Sequence, residues 1–141
     1  MSFTGNYSCN SFKTGMMNGT FNFTSGSFKV ALYTNAATLN AATAAYTATG
    51  EVVGTGYTAG GQAVTITQVP TTGSSGTTVY VSFSNPSWTG SITARGALIY
   101  QSGGGNPAVC VLDFGADKSS STTFTVQFPA VSNTSAIIRI A

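Results

Sequence analysis

"RGALIYQSGGGNPAVCVLDF", residues 95–114, decides the fold of this chain. Its first seven residues are apolar on both sides, as a strand in the middle of a sheet must be. Beyond the loop, Ala108, Cys110, Leu112 and Phe114 alternate with Val109, Val111 and Asp113. A period of two means extended backbone, because successive side chains point to opposite faces. Between the two runs, "QSGGGNPA" (residues 101–108) has the Gly, Asn and Pro content of a hairpin loop.

The same pattern recurs outward from this hairpin. "FKVALY" (residues 28–33) places Phe28, Val30 and Leu32 on one side, and "AVTI" (63–66) does so with Val64 and Ile66. "VYVSFS" (79–84) sets Val79, Val81 and Phe83 inside, with Tyr80, Ser82 and Ser84 outside. "TFTVQF" (123–128) sets Phe124, Val126 and Phe128 inside and Thr123, Thr125 and Gln127 outside, and "AIIRI" (136–140) closes the chain. "PTTGSSGTT" (70–78) reads as a further hairpin loop, and "FSNPSW" and "DFGADKSSS" as turn clusters. Short strands at such spacing predict an all-β sandwich or barrel.

Two segments stand apart. "NAATLNAATAAY" (35–46) is Ala-rich and reads either as a turn or two of helix or as a long surface excursion. Residues 1–27 are polar but hold several large apolar groups, and read as an N-terminal arm ahead of a β-sandwich domain at 28–141. Phe3, Tyr7, Phe12, Met16 and Met17 are its candidate contacts with a partner chain.

Composition excludes several classes. Only 6% of the 141 residues are charged, against about 25% in an ordinary soluble domain. Ser and Thr fill 40 positions and Gly 17, while nine Phe, six Tyr and one Trp argue for a packed core rather than disorder. The net charge of +2 is scattered, with no two basic residues adjacent, unlike the clustered Lys and Arg of a nucleic-acid binder. No apolar run is long enough for a membrane span. The start has no basic stretch followed by an apolar one, so a cytosolic product is expected. Four Asn-x-Ser/Thr sequons are then silent, since glycosylation needs the secretory route.

Motifs for chemistry are scarce. "GEVVGTGYTAGG" (50–61) has five glycines but no Lys or Arg to meet a phosphate, and its glycine spacing misses the dinucleotide fingerprint. Positive φ values in a β-connection explain it instead. No His is present, so Ser-His-Asp and Cys-His catalysis lack their base. Asp113 and Asp117, at a strand end and in the following turn, read as turn-stabilising groups of the Asx type. The "DFG" at 113–115 lacks the rest of a kinase signature. Cys9 and Cys110 match no metal spacing and read as buried thiols. Arg139 reads as pairing with Asp113 or Glu51, or as pointing outward, and Trp88 as a core anchor rather than a sugar platform. No catalytic residue, cofactor or metal is expected.

Taken together, residues 27–65, "TARGALIYQS" (93–102), "AVCVLDFGADKSSSTTFTVQFP" (108–129) and the ending "AIIRIA" (136–141) resemble the capsid decoration (cement) proteins of tailed bacteriophages, more narrowly those of podophages. The resemblance covers residues 28–141; the first 27 residues carry no matching motif. It implies a jelly-roll sandwich on the outer capsid surface of a virion made in the host bacterial cytoplasm. It also implies a homodimer on two-fold axes that ties neighbouring major capsid protein subunits together, without nucleic acid or membrane as partner. A charge-poor coat suits that place, because crowded like charges repel within about 8 Å at physiological salt. A tail-fibre or receptor- or carbohydrate-binding module is the alternative that shares this composition.

Overall fold

A computed structural model describes residues 3–74 and 76–141. In chain order its elements are β1 (Tyr7–Ser8), α1 (Asn10–Asn18), β2 (Phe28–Tyr33), β3 (Gln62–Val64), β4 (Ile66–Thr72), β5 (Val79–Phe83), β6 (Ser87–Thr89), β7 (Ile92–Gln101), β8 (Ala108–Ser120), β9 (Thr123–Thr125) and β10 (Ile138–Ile140). All pairings between these strands are antiparallel. A five-stranded sheet has the order β1-β8-β7-β2-β3, a three-stranded sheet β10-β5-β4, and β6 pairs with β9. The protein is an all-β sandwich.

The opening stretch forms the hairpin β7–β8 at the middle of the large sheet, and both its faces are buried. On one face Val30, Leu32, Ala97, Ile99 and Val109 meet Val81, Phe83, Ile138, Trp88 and Phe124 from the smaller sheets. On the other, Ala31, Tyr33, Leu98, Tyr100 and Val111 pack under Phe3, Cys9, Ala37 and Leu39. Antiparallel sheets commonly leave one face wet. Here residues 34–46 run over the second face and bury Ala37 and Leu39 against it, so "NAATLNAATAAY" is the long surface excursion rather than a helix. Ala45 bridges to Pro107 in the loop between β7 and β8, and Glu51, beyond that stretch, bridges to Tyr33 at the end of β2.

Bulges alter the expected alternation in β8. Ile99 pairs with Cys110 and Tyr100 with Ala108, so Val109 is an extra residue. Val109 and Cys110 therefore share the main core, while Ala108 and Val111 face the other way. Further along, Ala94 pairs with Lys118 and Gly96 with Asp113, leaving residues 114–117 opposite Arg95 alone. The strand continues past this bulge to Ser120, so "DFGADKSSS" is not a terminal turn. β4 and β6 likewise run through residues expected in loops. In β5, Val81 and Phe83 are inside as expected, but Val79 is exposed and Ser82 is buried.

Residues 3–27 are part of the folded body rather than an extended arm. β1 pairs with β8, and Phe12, Phe21 and Phe23 enter the main core. Phe23 stacks on Phe28 at 4.8 Å between ring centroids, and Phe28 meets Phe83 at 5.3 Å. Gly15 lets this happen: a Cβ there would lie 2.4 Å from the Phe21 ring. α1 ends at Gly19, whose φ of +81° is the left-handed conformation that favours glycine.

Candidate functional site

The glycine-rich loop is organised around a buried carboxylate. Glu51 is 7% exposed. Its Oε2 accepts a hydrogen bond from the Tyr46 hydroxyl at 2.6 Å. Its Oε1 accepts from the Tyr57 hydroxyl at 2.6 Å and from the Gly60 N–H at 2.7 Å. The Tyr57 oxygen in turn accepts the Leu32 N–H at 2.9 Å, and Tyr100 donates to the Gly60 carbonyl at 2.6 Å. These bonds clamp the loop onto β2 and β7. A buried carboxylate without a cation needs such donors, and three charge-assisted bonds supply them.

The tyrosines answer with shifted acidities. Burial, and then the hydrogen bond to Glu51, push Tyr46 up to about 12. Burial and the same carboxylate push Tyr57 and Tyr33 higher still, and raise Tyr100. With both oxygens of Glu51 engaged, the cluster is a clamp that holds the loop against the sheet. The five glycines of the loop all have positive φ, as a turning connection requires. At Gly61 a Cβ would also stand 1.9 Å from the Val30 carbonyl oxygen. In the sequence Glu51 stands out only as a candidate partner for Arg139. The available signal was a lone acid amid apolar and Gly residues, flanked by Tyr46 and Tyr57.

Asp113 lies inside β8 at the edge of the large bulge. Its Oδ1 accepts the Gly115 N–H at 2.8 Å, and Arg95 Nε donates to it at 3.1 Å. The backbone bond first, and then Arg95, hold its carboxyl below the usual range. The Asx-type bond is thus present, within a bulged strand. Asp117 is exposed in the bulge. Arg139 pairs with neither acid proposed for it: Asp113 takes Arg95, and Glu51 takes the tyrosines.

Cys9 and Cys110 are free, buried thiols belonging to the two different cores. Burial pushes Cys9 up to about 11 and Cys110 higher, so neither is a ready thiolate. Trp88 is 5% exposed against Tyr57 and Phe124, which makes it a core anchor. Among the described residues, no group of three His, Cys, Asp or Glu is placed to hold a metal ion. Among the described residues, no helix is long and apolar enough to cross a membrane.

The candidate partner contacts divide. Phe3 and Phe12 are buried in their own domain and are not free for a partner. Tyr7 is half-buried in β1, its hydroxyl 2.7 Å from that of Thr4. Met16 is exposed and Met17 almost wholly so. The open side of the sandwich lies nearby. A cleft of about 320 Å³ separates β1 from β10, lined by Ser8, Phe12, Val109, Ile137 and Ile138. A second of about 210 Å³ adjoins it along Tyr7 and Leu112.

No protein-family model, curated protein or solved structure gave a match to this chain.

Proposed function

We propose that this protein is a structural virion component that decorates the outer surface of a tailed-phage head. It binds across neighbouring major capsid protein subunits and stabilises the shell against their separation. The observation that carries this reading is a doubly packed β-body with a charge-poor exterior, on which Lys13, Asp117, Lys118 and Arg139 are the exposed charged side chains among the described residues. Both faces of its large sheet are buried. Its acids are largely consumed internally, by the Glu51 clamp and the Arg95–Asp113 pair. The sequence resemblance to phage decoration proteins supports the same role.

The jelly-roll form is part of this proposal by the sequence resemblance alone, and the chain changes sheets as sandwiches do. It leaves the large sheet between β3 and β4, returns between β6 and β7, and leaves again between β8 and β9. A clamp of this kind acts by mass action: it binds the assembled shell and so stabilises that state alone. Touching two subunits adds effective concentration once the first contact forms. A homodimer on a two-fold axis would present one self-complementary patch. The carbohydrate-binding alternative loses its aromatic platform, because Trp88 is buried.

The test is copy number. Purified virions should contain the chain in amounts comparable with the major capsid protein, by quantitative mass spectrometry. A handful of copies per particle would refute the cement role.

A further inference from the structure

We infer that the free edge of β10 receives an extended segment of a partner chain in which one carboxylate residue lies between two apolar ones. Taking that partner to be a shell subunit rests on the function proposed above; the chemistry of the edge does not.

β10 is the outer strand of its sheet and pairs with β5 alone. Such an edge is a template for one more strand. The cross-strand pairs show how an added strand would be read. Ile138, opposite Val81, faces the core. Ile140, opposite Val79, shares that face, and Arg139 lies on the other. Ile140 and Val79 are 47% and 40% exposed, so the inner face overhangs its core uncovered. The cleft of about 320 Å³ opens beside it, lined by Phe12, Val109 and Ile137 together with the polar Ser8, Thr78 and Arg139. A strand laid along β10 would send two alternate side chains inward, toward the apolar overhang of Ile140 and Val79. The residue between them would stand outward beside Arg139.

Charge selects the occupant. Arg139 is exposed and makes no salt bridge among the described residues. Of the three acids, Glu51 is saturated by the tyrosines and Asp113 is paired. Asp117 is then the exposed acid, set against exposed Lys13, Lys118 and Arg139 and half-buried Lys29. The accessible surface is more basic than the formal charge suggests, and an acidic segment complements it. A second copy of this chain does not. Antiparallel pairing of β10 with itself, in the register that uses all three residues, sets Arg139 opposite Arg139, and like charges directly opposite destabilise.

The test has two arms. In the first, the capped peptide acetyl-Thr-Ser-Val-Asp-Val-Ser-Thr-amide is titrated into the isotope-labelled full chain and followed by amide chemical shifts. A second peptide carries Lys in place of Asp. Shifts should concentrate on residues 137–141, 78–80 and 8. The Lys peptide should bind at least about fivefold more weakly, and Arg139→Glu should reverse the preference. Absence of shifts on β10 at millimolar peptide, or equal binding of the two peptides, would overturn the inference. If Arg139→Glu failed to fold, Arg139→Gln should abolish the discrimination, and its persistence there would also overturn the inference. A wild-type dimer that Ile140→Asp dissociates would put a second copy on this edge, with the same consequence.

In the second arm, wild type and Arg139→Glu are bound to phage shells lacking the chain. The variant should bind about tenfold more weakly. Equal binding by both would overturn the β10 inference and leave the cement role standing. No binding by wild type would overturn the cement role, and the peptide arm would still decide the edge.

Discussion

Replacing Phe12 by Ala tests whether the first 27 residues belong to the core. Phe12 is 6% exposed, with the rings of Phe21 and Phe23 at 5.8 and 5.9 Å. Truncating a buried Phe costs about 3–5 kcal/mol through lost transfer energy and the cavity left behind. Ala is the better helix former by roughly 0.5 kcal/mol, which offsets a little of this in α1. The net expectation is about 3–4 kcal/mol. An unfolding entropy of about 2.1 cal/mol/K per residue gives roughly 0.3 kcal/mol/K for a chain of this length, hence a fall in Tm of about 12 °C. The control sits five residues along the same helix. Met17 is 91% exposed, and Met17→Ala should change stability by less than about 0.5 kcal/mol. Urea unfolding of both variants, with unchanged slope, provides the comparison. Equal midpoints would refute the packing of α1 described here and restore a detachable arm.

Three further outcomes follow from the clamp and the loop. Glu51→Ala should cost more than about 3 kcal/mol in urea unfolding, since it strands buried donors at Tyr57 and Gly60, whereas Glu51→Gln should cost about 1–2 kcal/mol. Tyr46, Tyr57 and Tyr33 are all raised in the folded state, so the unfolded chain loses those protons first. Stability from these groups should be complete below about pH 10, the unfolded tyrosine value, and fall as pH rises through about 12, where Tyr46 ionises; phenolate absorbance and circular dichroism recorded together should show this. Gly61→Ala should destabilise by at least about 2 kcal/mol, read by thermal melting, because its φ is +76° and its Cβ would strike the Val30 carbonyl.

What the sequence disclosed, and what it hid, follows from range. β2 matches "FKVALY" at both ends, and Phe124, Val126 and Phe128 are buried with Thr123, Thr125 and Gln127 outside. These patterns are local, so period two reveals them. The course of β8 is not local. Its bulges depend on partners in β7, and a Gly-Ala-Asp-Lys stretch gives no sign that a strand resumes beyond it. α1 was hidden because "NSFKTGMMN" carries a Gly and no apolar stripe; only Phe12 and Gly15 are buried. The helix is held by rings that reach it from Phe21 and Phe23. Glu51 was hidden for a similar reason, since its donors converge only after the loop folds back on β2. The sequence implies that the large apolar residues near the N-terminus are buried somewhere; Phe3, Phe12, Phe21 and Phe23 are, whereas Met16 and Met17 are exposed. Which protein buries Phe3 and Phe12 was a question of tertiary contact.

The central claim is mechanical, and one measurement addresses it directly. Phage heads assembled with and without this chain are heated in parallel, and genome release is followed by dye fluorescence against temperature. Decorated heads should release at a higher temperature, and adding purified protein to bare heads should restore the difference. Identical release curves for bare and decorated heads, at saturating occupancy, would contradict the account.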